Sequence, residues 1–368
     1  MSDHDCLDSL LSVFNKEKSA VIWVFCSLLF LCNFCRLSTS AGWVATTLNY
    51  IYPLAALCVT FIPVKLIETY QKTNRLYYVL FFPFVLFAAN QEIYAVAILL
   101  FSFSFGTRCL LRGKYEYYYF CMFSIAVISL IFILACPGNT HRFAAEIKTW
   151  YPAYGELPLI QKSALGVMTL FNRLAVSNKS LFMISSLFIA LTVFYDQTKY
   201  LVYGIVSLIP ISVSLAFGIF GSKTILKTLP FLDKAFVDGR FAGLPQGEQY
   251  HTANQMILLV CIAIVLLSYL VSLYVVFKNS KKSIIYLSVI MIGCSSQLVM
   301  GFSPTVYASG IRTATLLFMT IAITGTALFA KWSEHRKINQ PRCLAVTLII
   351  VVWGFVSICK QIIWVHSH

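Results

Sequence analysis

The stretch NQMILLVCIAIVLLSYLVSLYVVF, residues 254–277, contains no Lys, Arg, Asp or Glu. A helix needs about 20 mainly apolar residues, within roughly 17–25, to cross a bilayer, and this run is long enough. It is also apolar on every face, as a helix surrounded by hydrocarbon or deep core must be. Working outward from it, the same pattern recurs near 19–35, 42–64, 76–90, 92–111, 118–136, 180–196, 199–221, 283–300, 311–330 and 343–364. Composition agrees. Across the 368 residues, 59% are hydrophobic and 11% charged, against roughly 45–50% and 25% in ordinary globular proteins. Mean hydropathy is +0.79. These values exclude a soluble enzyme, a secreted disulfide scaffold and a disordered chain. The expected fold is all-α: one integral membrane domain over 1–368, a polytopic transmembrane bundle of about 11 spans with long outer loops at 137–179 and 222–253.

The net charge of +14 belongs to loops rather than to a nucleic-acid surface, because basic residues gather on the cytoplasmic side of membrane proteins. Placing the N-terminus in the cytoplasm puts Lys16, Lys18, Lys65, Lys72, Arg75, Arg108, Arg112, Lys114 and Lys199 on that side. Lys278, Lys281, Lys282, Lys331, Arg336, Lys337 and Arg342 join them. The short outer loops then keep only Arg36 and Arg312. The C-terminus faces out. Met1 to Lys18 carries four acids ahead of the first apolar run, the wrong flank for a cleavable signal. Eleven of the twelve Cys lie in or beside apolar runs, where Cys acts as a small hydrophobe. Cys32 and Cys35 have a redox-like spacing but no βαβ context. No structural disulfide is expected.

Span interiors hold almost no ionisable residues, so no buried proton relay is visible. Polar chemistry gathers at the outer boundary. Asn90-Gln91-Glu92 must form the turn between the third and fourth spans. There a carboxylate beside two amides can serve as general base, metal ligand or sugar-hydroxyl acceptor, or simply favour the helix dipole. Cys136-Pro137-Gly138-Asn139-Thr140-His141-Arg142 follows the fifth span. Pro-Gly-Asn makes a turn by backbone chemistry alone, but His141-Arg142 at the surface suits a phosphate clamp. From Leu157 to Val176, apolar residues interleave with Gln161, Lys162, Asn172 and Arg173, the pattern of an amphipathic helix lying in the interface plane. Trp150, Tyr151 and Tyr154 ahead of it suit headgroup level.

The loop 222–253 has no HExxH or adjacent DxD spacing and reads as solvated. No metal site or cofactor is expected, although a divalent metal stays open. Between the ninth and tenth spans, Gly301 to Arg312 offers Ser303 and Ser309. With Ser309 as N-cap, the tenth span presents N–H donors beside Arg312, a site for an anion. Gln297 would point into the same cavity.

In order, the acid ahead of an apolar span (Glu92), the Pro-Gly-Asn-x-x-Arg turn (Pro137 to Arg142) and the Ser-Pro…Ser-Gly-x-Arg loop (Ser303 to Arg312) resemble a bacterial group of multi-pass proteins allied to the GT-C class of membrane glycosyltransferases. The resemblance covers roughly 75–330. It implies a polyprenyl-phosphate-linked sugar as donor, a glycan acceptor and reaction at the outer face of the cytoplasmic membrane, for cell-envelope glycan synthesis. Glu92 would be the catalytic base. Arg142 and Arg312 would hold the lipid phosphate, with Asn90, Asn139, His141, Gln297, Ser303 and Ser309 binding substrate. The GT-C class usually carries an acid in its first outer loop, whereas the loop from Arg36 to Gly42 has none. Two other readings stay open: an O-antigen or capsule polymerase, and a transporter or flippase of lipid-linked sugars. The last predicts broken helices and polar residues at mid-span, of which Pro210 is the clearest.

Overall fold

The computed structural model describes residues 17–32, 47–68, 75–196, 201–219, 236–237, 240–241, 252–277, 283–334 and 340–367. The segment near Arg36 to Gly42, residue Cys35 and nearly all of the 222–253 loop lie outside the described residues. Among the described residues the chain is helical, apart from one two-residue antiparallel ladder pairing Phe236–Val237 with Arg240–Phe241.

The helices, in chain order, are α1 Glu17–Leu31, α2 Tyr52–Glu68 (entered through a π-turn, Thr47–Ile51), α3 Phe82–Ala89, α4 Glu92–Leu111 and α5 Tyr117–Ala135. There follow α6 Pro137–Trp150, α7 Leu159–Phe171, α8 Lys179–Asp196, α9 Leu201–Ile219 and α10 Thr252–Phe277. The last three are α11 Ser283–Leu298, α12 Thr315–Ser333 and α13 Gln340–Ser367. Seven stretches are long and apolar enough to cross a membrane: Thr47–Ile67, Glu92–Leu111, Tyr117–Ala135, Met256–Phe277, Ser283–Phe302, Gly310–Ser333 and Pro341–Ile363. An eighth exists if the pair Leu159–Ser177 and Lys179–Tyr195, bent by 89°, is one span. This is a multi-pass membrane architecture.

Two packed clusters share helices α7, α11 and α12. One gathers Tyr94, Phe101, Phe105, Tyr118 and Tyr119 from α4 and α5. The other gathers Phe182, Phe188, Tyr269, Phe329 and Trp332 from α8, α10 and α12. The α4–α5 connection turns on Gly113, whose φ of +70° is left-handed and suits glycine.

Three expectations need correcting. The segment 137–150 is not loop: Pro137 begins α6, where a missing N–H and a fixed φ suit the first helical position. The fifth span and α6 are therefore separated by Cys136 alone. Tyr151 and Tyr154 do not lie at the surface but are buried, while Trp150 beside them is exposed. The amphipathic stretch does form, as α7 and a π-turn over Asn172–Ser177. Its polar residues Asn172 and Arg173 are buried rather than solvated. Instead of floating as a collar, α7 packs against α10, α11 and the Val299–Phe302 turn.

That last packing is backbone on backbone. A Cβ added at Gly166 would collide with the Leu298 carbonyl, and one added at Gly301 would collide with the Lys162 carbonyl and the Gly166 nitrogen. The Tyr154 hydroxyl donates to the Gly301 carbonyl at 3.0 Å and closes the joint.

Gly301→Val is expected to cost about 1–3 kcal/mol through overpacking, read as a lowered midpoint in thermal unfolding of detergent-purified protein. Gly155→Ala, which meets nothing within 4 Å, should leave the midpoint unchanged. Equal midpoints for the two variants would show that the crossing is loose.

Candidate functional site

Helix α4 begins abruptly. Asn90 ends α3, Gln91 is extended, and its carbonyl accepts the N–H groups of Tyr94 and Ala95 at 3.0 and 2.9 Å. Glu92 is thus the first residue of α4, half-exposed at one end of the bundle. Helix α6 delivers Arg142 to the same end. The corner before it is locked by Asn139, whose amide donates to the Ile133 carbonyl at 2.7 Å and whose backbone N–H donates to Cys136 at 3.0 Å.

Arg142 stands between two carboxylates. Its Nη2 lies 3.6 Å from Glu92 Oε1 and its Nε 3.5 Å from Glu146 Oε1, with side-chain exposures of 60%, 50% and 24% in that order. Ion pairs this exposed contribute about 1 kcal/mol at most. They orient the guanidinium without holding it fast against a competing anion. The three side chains, with Asn139, Thr140 and Ser303, line a cavity of about 310 Å³.

Arg312 does not line that cavity, but it belongs to the same electrostatic cluster. Arg312, Glu92, Arg142 and Glu146 all act on the Tyr50 hydroxyl at the start of the second span. The Tyr50 carbonyl is held by the Tyr94 hydroxyl at 2.6 Å. Arg312 Nε is shut off from solvent with no hydrogen-bond partner among the described residues.

The remaining sequence candidates divide. Ser303 lines the cavity and its hydroxyl pairs with Thr305 Oγ1 at 2.9 Å. Ser309 is not a side-chain N-cap: it sits in the helical region of φ,ψ and its hydroxyl goes to Thr305 Oγ1 at 2.9 Å. A 3₁₀ turn, Gly310–Ala314, then leads into α12. Gln297 is fully buried, and its amide nitrogen donates to the Thr313 carbonyl at 2.7 Å. It ties α11 to the turn ahead of α12 instead of lining the cavity. Asn90 and His141 are exposed and lie outside the cavity lining.

Glu146 is the member sequence reasoning missed. Its signal was the Arg-x-x-x-Glu spacing of Arg142 and Glu146, which becomes an i,i+4 pair once Pro137 is read as a helix start. Among the described residues, no three His, Cys, Asp or Glu side chains come together as metal ligands. The ten described cysteines carry free thiols.

Comparison of the chain with protein-family models, with curated proteins and with solved structures finds no match.

Behind the cavity, burial pushes the Tyr154 phenol up to about 12, and Tyr151 beside it adds to the shift. Lys162 lies over the Tyr154 ring at 4.7 Å from its centre. An unfolded Tyr ionises near ~10, so above that pH the unfolded state sheds a proton that the native state keeps. This contribution to stability is complete below pH about 10 and disappears as pH rises toward about 12. Tyr154→Phe should lower stability by about 1–3 kcal/mol at pH 8, since the Gly301 carbonyl loses its donor. It should also flatten the fall between pH 10 and 12. Parallel unfolding curves for wild type and variant across that window would rule out Tyr154 as the titrating group.

Proposed function

We propose that this protein is a glycosyltransferase-like enzyme of the cytoplasmic membrane, acting at the outer face on polyprenyl-phosphate-linked sugars for cell-envelope glycans. The carrying observation is Arg142 set between Glu92 and Glu146 on a polar cavity at one end of an otherwise apolar bundle, with Arg312 close enough to act on Tyr50 together with them. Arg142 and Arg312 neutralise the lipid phosphate. Glu92 accepts the proton of the acceptor hydroxyl as the acceptor oxygen bonds to the anomeric carbon. The bond from that carbon to the phosphate oxygen breaks, and the phosphate leaves with the electron pair. Phosphate oxygens displace Glu92 from Arg142, which frees the carboxylate to act as base. Thr140 and Ser303 face the sugar. A polymerase of lipid-linked glycans would use the same arginines.

The transporter reading keeps one observation of its own: the 89° break between α7 and α8. Deeper in the bundle, the Tyr269 hydroxyl pairs with Ser185 Oγ at 2.7 Å. Hydroxyl pairs of this kind also serve as plain interhelical glue.

The proposed topology has eleven spans, the N-terminus inside and the C-terminus outside. The seven long helices, the bent pair and the shorter Ser19–Leu31, Leu76–Ala89 and Leu201–Phe217 supply that number. Lys65, Arg108 and Lys331 sit at the helix ends remote from Glu92 and Arg312, as basic cytoplasmic ends would. Reporter fusions after Asn279 and after Ser303 should report opposite sides, and two cytoplasmic signals would break the map between the eighth and tenth spans.

For the chemistry, Arg142→Ala and Arg312→Ala should each weaken binding of a polyprenyl-phosphate sugar in nanodiscs by at least about tenfold. Glu92→Gln should bind normally and lose about 10²–10⁴-fold in turnover, because an amide cannot take the proton. A Glu92→Gln variant with full turnover would move the base elsewhere, and loss only in Glu146→Gln would assign it to Glu146.

A further inference from the structure

A second cavity, of about 250 Å³, lies among the second, fourth, ninth and tenth spans. Its walls include Leu54, Leu57, Ala97, Ile292, Leu316 and Ile323. Thr320, also in the wall, turns its hydroxyl to its own helix, donating to the Leu317 carbonyl at 2.8 Å. The lining therefore offers a ligand essentially no polar group. A void of this kind stays dry, and its walls forfeit the dispersion contacts that a filling group would restore. Its volume falls just below the roughly 300–1,000 Å³ of whole-ligand pockets, which suits a segment of chain better than a complete small molecule.

Position decides what kind of chain. Two of the four spans that line the void carry a charged member of the site at their site end, Glu92 and Arg312, and a third carries Tyr50. At about 1.5 Å of rise per residue, Ala97 lies roughly 7.5 Å inward of Glu92, while Leu54 follows Tyr50 and Leu316 follows Arg312 by four residues, about one turn. The remaining one, the ninth, leads into Ser303. At the inner end, the rings of Phe61 and Phe101 meet edge to face with centroids 4.6 Å apart, and Phe101 stacks on Phe105 at 4.2 Å. The void thus lies about one helical turn inward of Tyr50, Glu92 and Arg312, with an aromatic floor on its other side.

We infer that this void is a slot for the phosphate-proximal segment of a lipid's hydrocarbon chain, the phosphate itself resting on Arg142 and Arg312. The inference rests on the lipid-phosphate reading of the charged site and deepens it, because it makes the protein a reader of the chain as well as of the head. The floor limits how much chain is held, and the remainder of a long chain stays in the bilayer. A free phosphate or a soluble nucleotide would leave the slot empty, and a lipid alcohol would fill it without engaging the arginines.

Cys58 lines the slot and is half-buried, which makes it a reporter. Full-length protein in phosphatidylcholine nanodiscs is treated with N-ethylmaleimide, and labelling of each thiol is followed by mass spectrometry. A long-chain polyprenyl phosphate should slow Cys58 labelling several-fold, leave Cys121 on α5 unaffected, and lose this protective effect in Arg142→Ala or Arg312→Ala. Inorganic phosphate should protect nothing. Ala97→Phe, which plugs the slot, should weaken polyprenyl-phosphate binding at least about tenfold. If that variant does not fold, Ile323→Phe serves as the plug. Arginine-dependent binding of polyprenyl phosphate without protection of Cys58, and without effect of either plug, would overturn the slot while the charged site stands. Equal protection by polyprenol and by polyprenyl phosphate, unchanged in the arginine variants, would overturn the joint head-and-chain assignment and with it the lipid-phosphate reading.

Discussion

Inside hydrocarbon a backbone or hydroxyl group finds no water, so each must be satisfied within its own helix or against a neighbour. Many buried hydroxyls here meet that constraint within their own helix, although Ser186 and Ser272 Oγ find no partner among the described residues. Ser27 donates to Trp23, Thr60 to Leu57, Ser102 to Ile98, Thr192 to Phe188, Ser268 to Ile264 and Thr324 to Thr320, each to a carbonyl three or four residues back. Once the hydroxyls are turned inward on their own helices, groups that must hydrogen-bond outward are pushed to the ends. Charge follows the same rule more strongly, since an unpaired charge at mid-membrane costs several kcal/mol. The position of the site at one end of the bundle follows from this, before any consideration of chemistry.

The constraint also explains which parts of the architecture were legible. An apolar run of about 20 residues has few folded solutions, and among the described residues seven helices are long and apolar enough to cross a membrane, or eight if the bent pair is one span. The corner at Pro137 was not legible as a helix start, because Pro-Gly-Asn fits a terminating turn and an N1 proline equally well by local chemistry. That ambiguity concealed Glu146. Had 137–150 been drawn as a helix, Arg142 and Glu146 would have fallen on one face.

Other features depended on contacts between residues far apart in sequence. Tyr151 and Tyr154 look like interfacial aromatics by type, yet tertiary packing buries them, and Tyr154 finds its partner in Gly301. Ser309 has the right side chain for an N-cap, but a 3₁₀ entry to α12 and the nearby Thr305 hydroxyl draw it elsewhere. Tyr50 carries no motif at all. Its place among four charges is visible only when α4, α6 and the Gly310–Ala314 turn are brought to one end of the bundle.

The cavity walls also bear on how the protein is made. Glu92 is synthesised first, Arg142 some fifty residues later, and Phe302 and Ser303 only after α11 has been made. Until then the joint of Gly166 on Leu298 and Gly301 does not exist, and the Tyr154 hydroxyl has no carbonyl to donate to. The polar pocket is therefore a late product of biogenesis, absent from a chain made only as far as α10. During that interval the Arg142 and Glu92 side chains face water at the membrane surface without their third wall. An immature chain therefore lacks the pocket until the bundle around it is complete.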